Sequence, residues 1–368
     1  MTHQKTVLAA PLNWGLGHAT RMVPVIELLL QKGARVLLAA DKRPYDFLKQ
    51  RFPDCKMIRL PGFEPSYPEK GSMALRMISS FPLMLKKAHE ANKLLQKIID
   101  RHGVDIVISD NRYELSSTKV YSVFITHQLN VQTFRWQRLF QPLITQLIYR
   151  YIKRFDELWI PDSENNQHNL SGKLSHVKNF PVENYQFTDP LSRLDLDVGA
   201  SEMEPLDLLV LLSGPEPQRT VFEQLITTQL LKNKLRATVL QSKPEEKTIK
   251  QKENITLISH ADDEQMAMLI KSADIVISRP GYSTIMDLSV FGKKAIFVPT
   301  PGQTEQLYLA RELKNRRYCY FEKQASFNLT HAIGVSEKYT GLPKVAKNDK
   351  LDGLVRKLLS RIQNTSPE

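Results

Sequence analysis

The sequence predicts an α/β protein built from two doubly wound domains in tandem, and three observations support this. Short β-rich runs alternate with helical patterns in both halves of the chain, as in parallel βαβ units. Each half carries a glycine-containing loop directly after its first predicted strand. The length of 368 residues suits two domains of roughly 150 residues each.

The first half begins with a predicted strand at Thr6–Ala10. Apolar residues at helical spacing then predict a helix over Arg21–Gln31. The remaining elements are a strand, a long helix and three further strands: Arg35–Ala40, Ala74–Arg101, Asp105–Ser109, Tyr121–Thr126 and Glu157–Ile160. Strands alternating with helices in this way are expected to lie parallel in one sheet.

A polar stretch that ends near Pro205 predicts the linker between the halves. A second alternating series follows, with strands at Leu206–Leu212, Leu235–Gln241, Ile255–Ser259, Ile275–Ser278 and Ala295–Val298. A last helix over Leu351–Ile362 has one apolar face. We therefore expect domains at 1–185 and 200–345, with a C-terminal helix at 350–364 packing near their junction.

The composition is that of an ordinary globular protein, with 42% apolar and 24% charged residues, which excludes a disordered or collagen-like chain. Cys55 and Cys319 are far apart and no CxxC or HExxH pattern occurs. This argues against a disulfide scaffold or a structural zinc site and suits a reducing cytosol. Val7–Leu12 is too short for a signal-peptide core and no apolar run reaches about 18 residues, so we expect a cytoplasmic protein without a membrane span.

The net charge of +12 favours anionic partners. One basic segment, Val131–Phe155, interleaves aromatic residues with arginines and lysines and contains no acid. It has two interpretations: a surface that contacts an anionic membrane at its inner face, or a helix with buried aromatic residues and solvated cations. We expect no nucleic-acid partner, because no recognised nucleic-acid motif accompanies the charge.

The loop Asn13–Arg21 lies between the first strand and the first helix of the N-terminal half. Gly15 and Gly17 permit a tight turn and close approach of an anion or a sugar, and His18 follows at the helix N-terminus. The alternative is an ordinary strand-to-helix turn with a surface histidine.

The segment Ser272–Leu288 is the most specific in the chain, since a buried strand ends at Ser278 and a helix begins near Ser283. Gly281, Ser283 and Thr284 offer N–H and hydroxyl donors at that helix N-terminus, which suits a diphosphate. Asp287, one turn on, is placed to accept the hydroxyls of a ribose. The alternative is a capped helix with an exposed acid.

A third segment, Ala295–Gln306, leads from a strand through a proline- and glycine-containing loop into a helix. Glu305 and Gln306 at the start of that helix are placed to bond sugar hydroxyls. Taken alone, the segment is also typical of any strand–loop–helix junction.

Together these segments resemble the donor half of MurG-like glycosyltransferases, glycosyltransferase family 28. That family has an Arg-Ser-Gly-x-x-Thr-x-x-Glu pattern, then a Phe-Val-Pro strand and a Gln-containing loop. The corresponding residues here are Arg279, Gly281, Thr284, Asp287, Phe297–Pro299 and Glu305–Gln306. Gly15–His18 resembles the family's N-terminal glycine-rich loop, and Phe180–Val182 its interdomain segment. The departures are Asp287 for Glu, Pro280 for Ser, and Ser213–Pro217 in place of a Gly-Gly-Ser-x-Gly loop.

The resemblance implies a GT-B fold, in which two Rossmann-like domains face each other across a cleft. It implies an inverting glycosyltransferase that uses a UDP-linked sugar, such as UDP-N-acetylhexosamine, and an unidentified glycan or lipid-linked acceptor. The donor-binding residues would be Gly15, Gly17, Ser213, Gly214, His260, Ala261, Arg279, Gly281, Tyr282, Ser283, Thr284, Asp287, Glu305 and Gln306. We expect no metal or cofactor, because a helix N-terminus can stabilise the departing diphosphate.

Such a transfer needs a base for the acceptor hydroxyl. Histidine suits this role because its ordinary pKa lies near neutrality. His18 is the first candidate, His127 at a strand end is the second, and Asp110 is the third. Each also has an interpretation as a polar loop residue. Two other functions stay open: a sugar-nucleotide hydrolase or epimerase on the same fold, and a non-catalytic subunit that binds a nucleotide sugar.

Overall fold

A computed structural model describes residues 4–63, 80–132, 141–194, 204–214, 216–243, 246, 248–345 and 349–361. The chain forms two compact units. The first comprises Met1–Ser192 together with Lys347–Glu368, and the second comprises Arg193–Ala346. The C-terminal segment therefore belongs with the N-terminal part of the chain.

Within the described ranges, the first unit contains a seven-stranded parallel sheet in the order β3-β2-β1-β4-β5-β6-β7. Its strands are β1 Thr6–Pro11, β2 Arg35–Ala40, β3 Lys56–Arg59, β4 Ile106–Asp110, β5 Tyr121–Ile125, β6 Glu157–Ile160 and β7 Tyr185–Phe187. The helices described in this unit are α1 Gly17–Gln31, α2 Lys42–Arg51, α3 Phe81–His102, α4 Gln141–Ile152 and α10 Asp349–Arg361.

The described part of the second unit contains another seven-stranded sheet, in the order β10-β11-β9-β8-β12-β13-β14. Among the described strand pairs of this sheet, only β10 and β11 are antiparallel. The strands are β8 Leu206–Leu211, β9 Ala237–Leu240, β10 Ile249–Lys252, β11 Ile255–Ile258, β12 Ala273–Ser278, β13 Lys294–Phe297 and β14 Tyr320–Phe321. The helices are α5 Gln218–Asn233, α6 Asp263–Ser272, α7 Tyr282–Val290, α8 Thr304–Asn315 and α9 Leu329–Ser336.

Both sheets are buried on two faces, which explains why their central strands read as apolar runs rather than alternating ones. In the first unit, Leu95 and Ile98 of α3 pack with Leu8 and Leu37 of the sheet. In the second, α5 places Phe222, Ile226 and Leu230 on one face against β8 and β9. Burying such a side chain stabilises the fold by about 1.5–3 kcal/mol.

Helix α10 docks on the first unit through an apolar stripe and three polar contacts. Leu351, Val355 and Leu358 lie on one face and are buried. Asp352 Oδ1 pairs with Lys32 Nζ of the loop after α1 at 2.6 Å. At the other end, Arg361 Nη1 donates to the Tyr121 hydroxyl at 2.6 Å and approaches Glu157 Oε2 at 3.4 Å.

The strand order reverses once in each sheet, between β1 and β4 in the first and between β8 and β12 in the second. In doubly wound sheets ligands bind at this switch point, outside the carboxyl ends of the strands. A ligand is therefore expected beside the loops that follow β1, β4 and β5 in the first sheet, or β8, β12 and β13 in the second.

The central strands agree with the sequence predictions, whereas the short edge strands and helix α2 were not predicted. Strand β10 is fully exposed and carries the sequence Ile-Lys-Gln-Lys, so it has no apolar pattern to detect. Strand β14 spans only two residues. The predicted long helix begins at Phe81 in the described part of the chain, and the residues before it, 64–79, lie outside the described residues.

Candidate functional site

The loop after β1 brings the predicted glycines and His18 to the switch point of the first sheet. Gly15 has φ +82°, a left-handed conformation that favours glycine. Helix α1 begins at Gly17 without a side-chain cap and without an acidic residue in its first turn. His18 is therefore carried on the first turn of a helix that starts at the carboxyl edge of the sheet.

Three residues predicted from separate segments come together here around a fourth, Arg21. His18 Nδ1 lies 3.0 Å from Asp110 Oδ1. Arg21 donates from Nε to Asp110 Oδ2 at 2.6 Å, and its Nη2 also bonds Asp110 Oδ1. Arg21 Nη1 lies 3.1 Å from His127 Nδ1. The cluster forms because Asp110 ends β4 and His127 follows β5, so both reach the edge where α1 begins.

Asp110 is completely buried and paired with a guanidinium that is only 2% exposed. Burial by itself raises the pKa of Asp110, but the charges of Arg21 and His18, with their hydrogen bonds, outweigh it and lower the pKa to about 2. The carboxyl group is therefore ionised at neutral pH and is a poor proton acceptor. This corrects the prediction of Asp110 as a base, and its position suits an orienting partner of His18 instead.

The two histidines differ in access. His127 is buried, and because a guanidinium can only donate, its Nδ1 accepts from Arg21. His18 keeps 17% of its side chain exposed. When His18 donates from Nδ1 to Asp110, its Nε2 carries the lone pair. The geometry therefore favours His18 over His127 as the group that takes a proton from a ligand.

Arg112, which was not predicted, fixes the neighbouring loops. Its buried guanidinium donates to the carbonyl oxygens of Leu60 at 2.9 Å and Pro61 at 3.0 Å, and to Glu114 at 2.8 Å. Trp14 Nε1 donates to the carbonyl oxygen of Phe63 at 2.7 Å. The chain that follows β3 is thus bonded to the chain that follows β1.

In the second unit, most predicted donor-binding residues follow β8, β12 and β13. Gly281 precedes α7 in an extended conformation, and α7 has neither a side-chain cap nor an acid in its first turn. Tyr282, in the first turn of α7, is buried. Ser283, Thr284 and Asp287, on the same helix, are half-buried. His260 and Ala261 lie between β11 and α6.

The loops beside α7 place the other predicted residues. Ser213 and Gly214 follow β8, and Gly214 has φ +101°. Glu305 lies in the first turn of α8. Gln306 Oε1 accepts a hydrogen bond from the backbone N–H of Thr300 at 2.8 Å. The carbonyl end of the Gln306 side chain thus supports the loop after β13.

Arg279 contradicts its prediction, because it is buried and faces the interior. Its guanidinium donates to the carbonyl oxygens of Val298 at 2.8 Å and Gln218 at 3.0 Å, and it lies 4.3 Å from the centre of the Phe222 ring. Burial lowers the pKa of Arg279 to about 10. The guanidinium therefore joins the loop after β13 to the start of α5 through internal contacts.

The described part of Val131–Phe155 combines features of both interpretations. Ile152 and Phe155 are buried in the core, and the Tyr149 hydroxyl donates to the carbonyl oxygen of Asn179. In contrast, α4 exposes 66% of Leu143 and 44% of Leu147. Residues 133–140 lie outside the described residues. Among the helices that the structure does describe, none has the length and apolar character needed to cross a membrane.

Comparison with known proteins identifies a family domain in the second unit. Residues 216–339 match the glycosyltransferase family 28 C-terminal domain. A UDP-N-acetylglucosamine--N-acetylmuramyl-(pentapeptide) pyrophosphoryl-undecaprenol N-acetylglucosamine transferase from Sulfurihydrogenibium sp. is 42% identical over 69 residues, 18% of this chain and 19% of that protein. An uncharacterised glycosyltransferase from Methanosarcina acetivorans is 24% identical over 319 residues, 79% of each chain. The first of these matches thus spans about a fifth of the relative's length.

The crystal structure of MurG from Acinetobacter baumannii superposes with a TM-score of 0.57 at 14% identity, covering 96% of this chain and 99% of that one. The two parallel-dominated sheets and this similarity define the class: the chain has the GT-B fold of glycosyltransferases. The predicted fold class is thereby confirmed. Within that class the chain is similar to MurG, and residues 216–339 of its second unit match the C-terminal domain of glycosyltransferase family 28, which confirms the predicted resemblance.

Proposed function

We propose that the protein is an inverting glycosyltransferase that moves a sugar from a UDP-sugar to an acceptor hydroxyl. The observation that carries the proposal is the pair of His18 and Asp110, held by Arg21 at the switch point of the first sheet. The curated relatives named as UDP-N-acetylglucosamine transferases support a UDP-N-acetylhexosamine donor. Their match lies in short segments, so the sugar is part of the proposal.

In the proposed reaction, His18 Nε2 takes the proton of the acceptor hydroxyl as its oxygen attacks the anomeric carbon. The new carbon–oxygen bond forms while the bond from the anomeric carbon to the diphosphate breaks, and UDP leaves with the electron pair. Attack on the face opposite the leaving group inverts the configuration. Asp110 holds the imidazole through Nδ1–H and stabilises the imidazolium, and Arg21 keeps Asp110 ionised.

The donor would bind at the second unit. The N-terminus of α7 directs backbone N–H groups and the positive end of the helix dipole toward the loop at Gly281, which suits a diphosphate. Asp287, one turn further, would accept the ribose hydroxyls, and Glu305 would face the sugar. Helix dipole and N–H donors can stabilise the leaving group without a metal, so we expect activity to persist in EDTA.

The acceptor side of the proposal rests on α4. Leu143 and Leu147 present an exposed apolar strip, and Arg150, Lys153 and Arg154 nearby are exposed cations. Apolar side chains beside cations suit the interface of an anionic membrane. We propose that the protein docks peripherally at the cytoplasmic face of a membrane and uses a lipid-linked glycan acceptor.

The donor part is tested by thermal unfolding with UDP, GDP, TDP, ADP and CMP, on the wild type and on Asp287→Ala. At about 100 times the dissociation constant, a ligand stabilises the native state by about 2.7 kcal/mol. We expect UDP to stabilise the wild type and to lose most of this effect in Asp287→Ala. Absence of a response to every nucleotide at millimolar concentration would refute the donor site.

The catalytic part is tested by UDP release from UDP-N-acetylglucosamine with a bacterial membrane lipid extract as acceptor. His18→Ala should lower the rate about 100-fold or more while UDP still binds. His89→Ala, an exposed histidine on α3, is the matched control and should retain full activity. Equal UDP release with and without lipid would favour a hydrolase, and UDP binding without turnover would favour a non-catalytic subunit.

A further inference from the structure

A buried hydroxyl group at the carboxyl edge of the second sheet has no hydrogen-bond partner among the described residues. Thr300 follows β13, is only 4% exposed, and its Oγ1 forms no hydrogen bond to any described residue. Buried polar groups are almost always paired, because a buried group without a partner destabilises the folded state. An unpaired buried hydroxyl beside a ligand-binding edge therefore points to a partner that the ligand supplies.

The hydroxyl faces Gly214. A Cβ built on Gly214 would lie 3.8 Å from Thr300 Oγ1 and would meet no other atom within 4 Å. Gly214 itself is exposed and has φ +101°, so its backbone can be approached closely. Thr300 Oγ1 is thus the atom beside the position that a side chain at Gly214 would occupy, and a ligand group placed there would lie next to the hydroxyl.

The sheet topology places this contact next to the N-terminus of α7. Gly214 follows β8 and Thr300 follows β13, and β12, which leads to α7, lies between those two strands. Thr300 and Gly214 therefore lie on either side of the carboxyl end of β12. The N-terminus of α5, by contrast, is already occupied by an anion, since Glu216 Oε2 accepts from the backbone N–H of Thr220 at 3.2 Å.

The backbone of Thr300 is held on both sides. Its N–H donates to Gln306 Oε1 at 2.8 Å, and its carbonyl oxygen accepts from the backbone N–H of Gln303 at 3.1 Å. Both partners lie at the start of α8. Gln306 therefore fixes the residue that presents the hydroxyl.

We propose that Thr300 Oγ1 donates a hydrogen bond to a phosphate oxygen of the donor's diphosphate, and that Gln306 is a positioning residue for it. This inference rests on the proposed donor site. A phosphate fits better than a neutral group, because the neighbouring α7 N-terminus favours negative charge.

The test compares Thr300→Val, which has the same shape without the hydroxyl, with Thr300→Ser, which keeps it. Titration calorimetry with UDP, UDP-N-acetylglucosamine and uridine separates phosphate contacts from the others. We expect Thr300→Val to weaken UDP binding by about 10- to 100-fold, the range for a hydrogen bond to a charged group, and to leave uridine binding unchanged. Thr300→Ser should bind UDP nearly as well as the wild type.

Gln306 is tested in the same assay. The single variant Gln306→Ala should bind UDP more weakly than the wild type. Adding Gln306→Ala to Thr300→Val should weaken UDP binding no further, because the two residues act on one contact. Gln306→Glu keeps an acceptor oxygen and should restore binding in part. The ligand-free Thr300→Val protein should unfold no more easily than the wild type, since an unpaired buried hydroxyl is replaced by a methyl group.

The outcomes distinguish the inference from the function on which it rests. Unchanged UDP binding in Thr300→Val overturns the inference and leaves the donor site intact. An equal loss for uridine and UDP also overturns it, because it would show a general distortion. A loss for UDP-N-acetylglucosamine alone would place the hydroxyl on the sugar rather than the phosphate. Failure of the wild type to bind UDP or UDP-N-acetylglucosamine overturns the proposed function itself.

Discussion

Asp110→Asn removes the negative charge that Arg21 and His18 share in the first unit. A pKa lowered from 3.8 to about 2 means that the ionised carboxylate stabilises the fold by about 2 kcal/mol at neutral pH, at about 1.4 kcal/mol per pKa unit. The substitution also leaves the buried guanidinium of Arg21 without its anion. We therefore expect Asp110→Asn to lower the free energy of unfolding at pH 7 by about 2–5 kcal/mol.

The pH dependence follows from the direction of the pKa change. Because the pKa of the folded protein lies below that of the unfolded chain, the stabilisation is complete above about pH 5 and is lost as the pH falls toward 2. At pH 3, between the two pKa values, the carboxylate keeps only about half of this stabilisation, about 1 kcal/mol. The difference in unfolding free energy between wild type and Asp110→Asn should shrink accordingly.

Urea denaturation of both proteins at pH 7 and pH 3 measures this difference. The double variant Arg21→Met with Asp110→Asn is the control, since it removes the unpaired cation and should regain part of the lost stability. The reasoning would be refuted if Asp110→Asn lowered the free energy of unfolding equally at the two pH values. It would also be refuted if the double variant lost as much stability as the two single variants added together.

Three further predictions concern buried and exposed groups elsewhere. Arg279→Met should lower the free energy of unfolding, measured in urea, by about 2–4 kcal/mol, because two backbone carbonyls lose their hydrogen-bond donor. A loss of UDP affinity without a loss of stability would contradict this prediction. Burial raises the pKa of Cys319 to about 12, so a thiol reagent should modify Cys55 alone in the native protein and both thiols in denaturant. Leu143→Ser combined with Leu147→Ser should reduce sedimentation with phosphatidylglycerol vesicles, and unchanged sedimentation would exclude α4 as the contact.

The sequence predicted both sheets because parallel strands buried on two faces are continuous apolar runs, and these runs are visible in single sequences. It also placed Asp110 and His127 at strand ends and His18 at the start of the helix that follows the first strand. Their convergence follows from the adjacency of β1, β4 and β5, which no single segment encodes. Which of the three takes a proton depends on the bonds of individual nitrogen and oxygen atoms, so the sequence could only rank them.

Two arginines show where sequence reasoning fails and where a signal was available. Arg279 follows a strand and precedes a glycine loop, as a phosphate ligand would, yet its side chain turns inward to carbonyl groups. Nothing local predicts that direction. Arg21, by contrast, lies four residues before Val25 and so shares the apolar face of α1. A cation on an apolar helix face predicts a buried anion nearby, and Asp110 is that anion.

The docking of α10 has a consequence for the order in which the protein assembles. The residues that α10 contacts, such as Lys32 and Tyr121, leave the ribosome long before Leu351 and Arg361 do. The second unit lies between these two parts of the sequence, so the strands described for it are synthesised before α10 is. The first unit therefore completes its core only after the second has been synthesised, and its last step closes a very long loop. Until then the surface that α10 covers stays open to chaperones on the nascent chain.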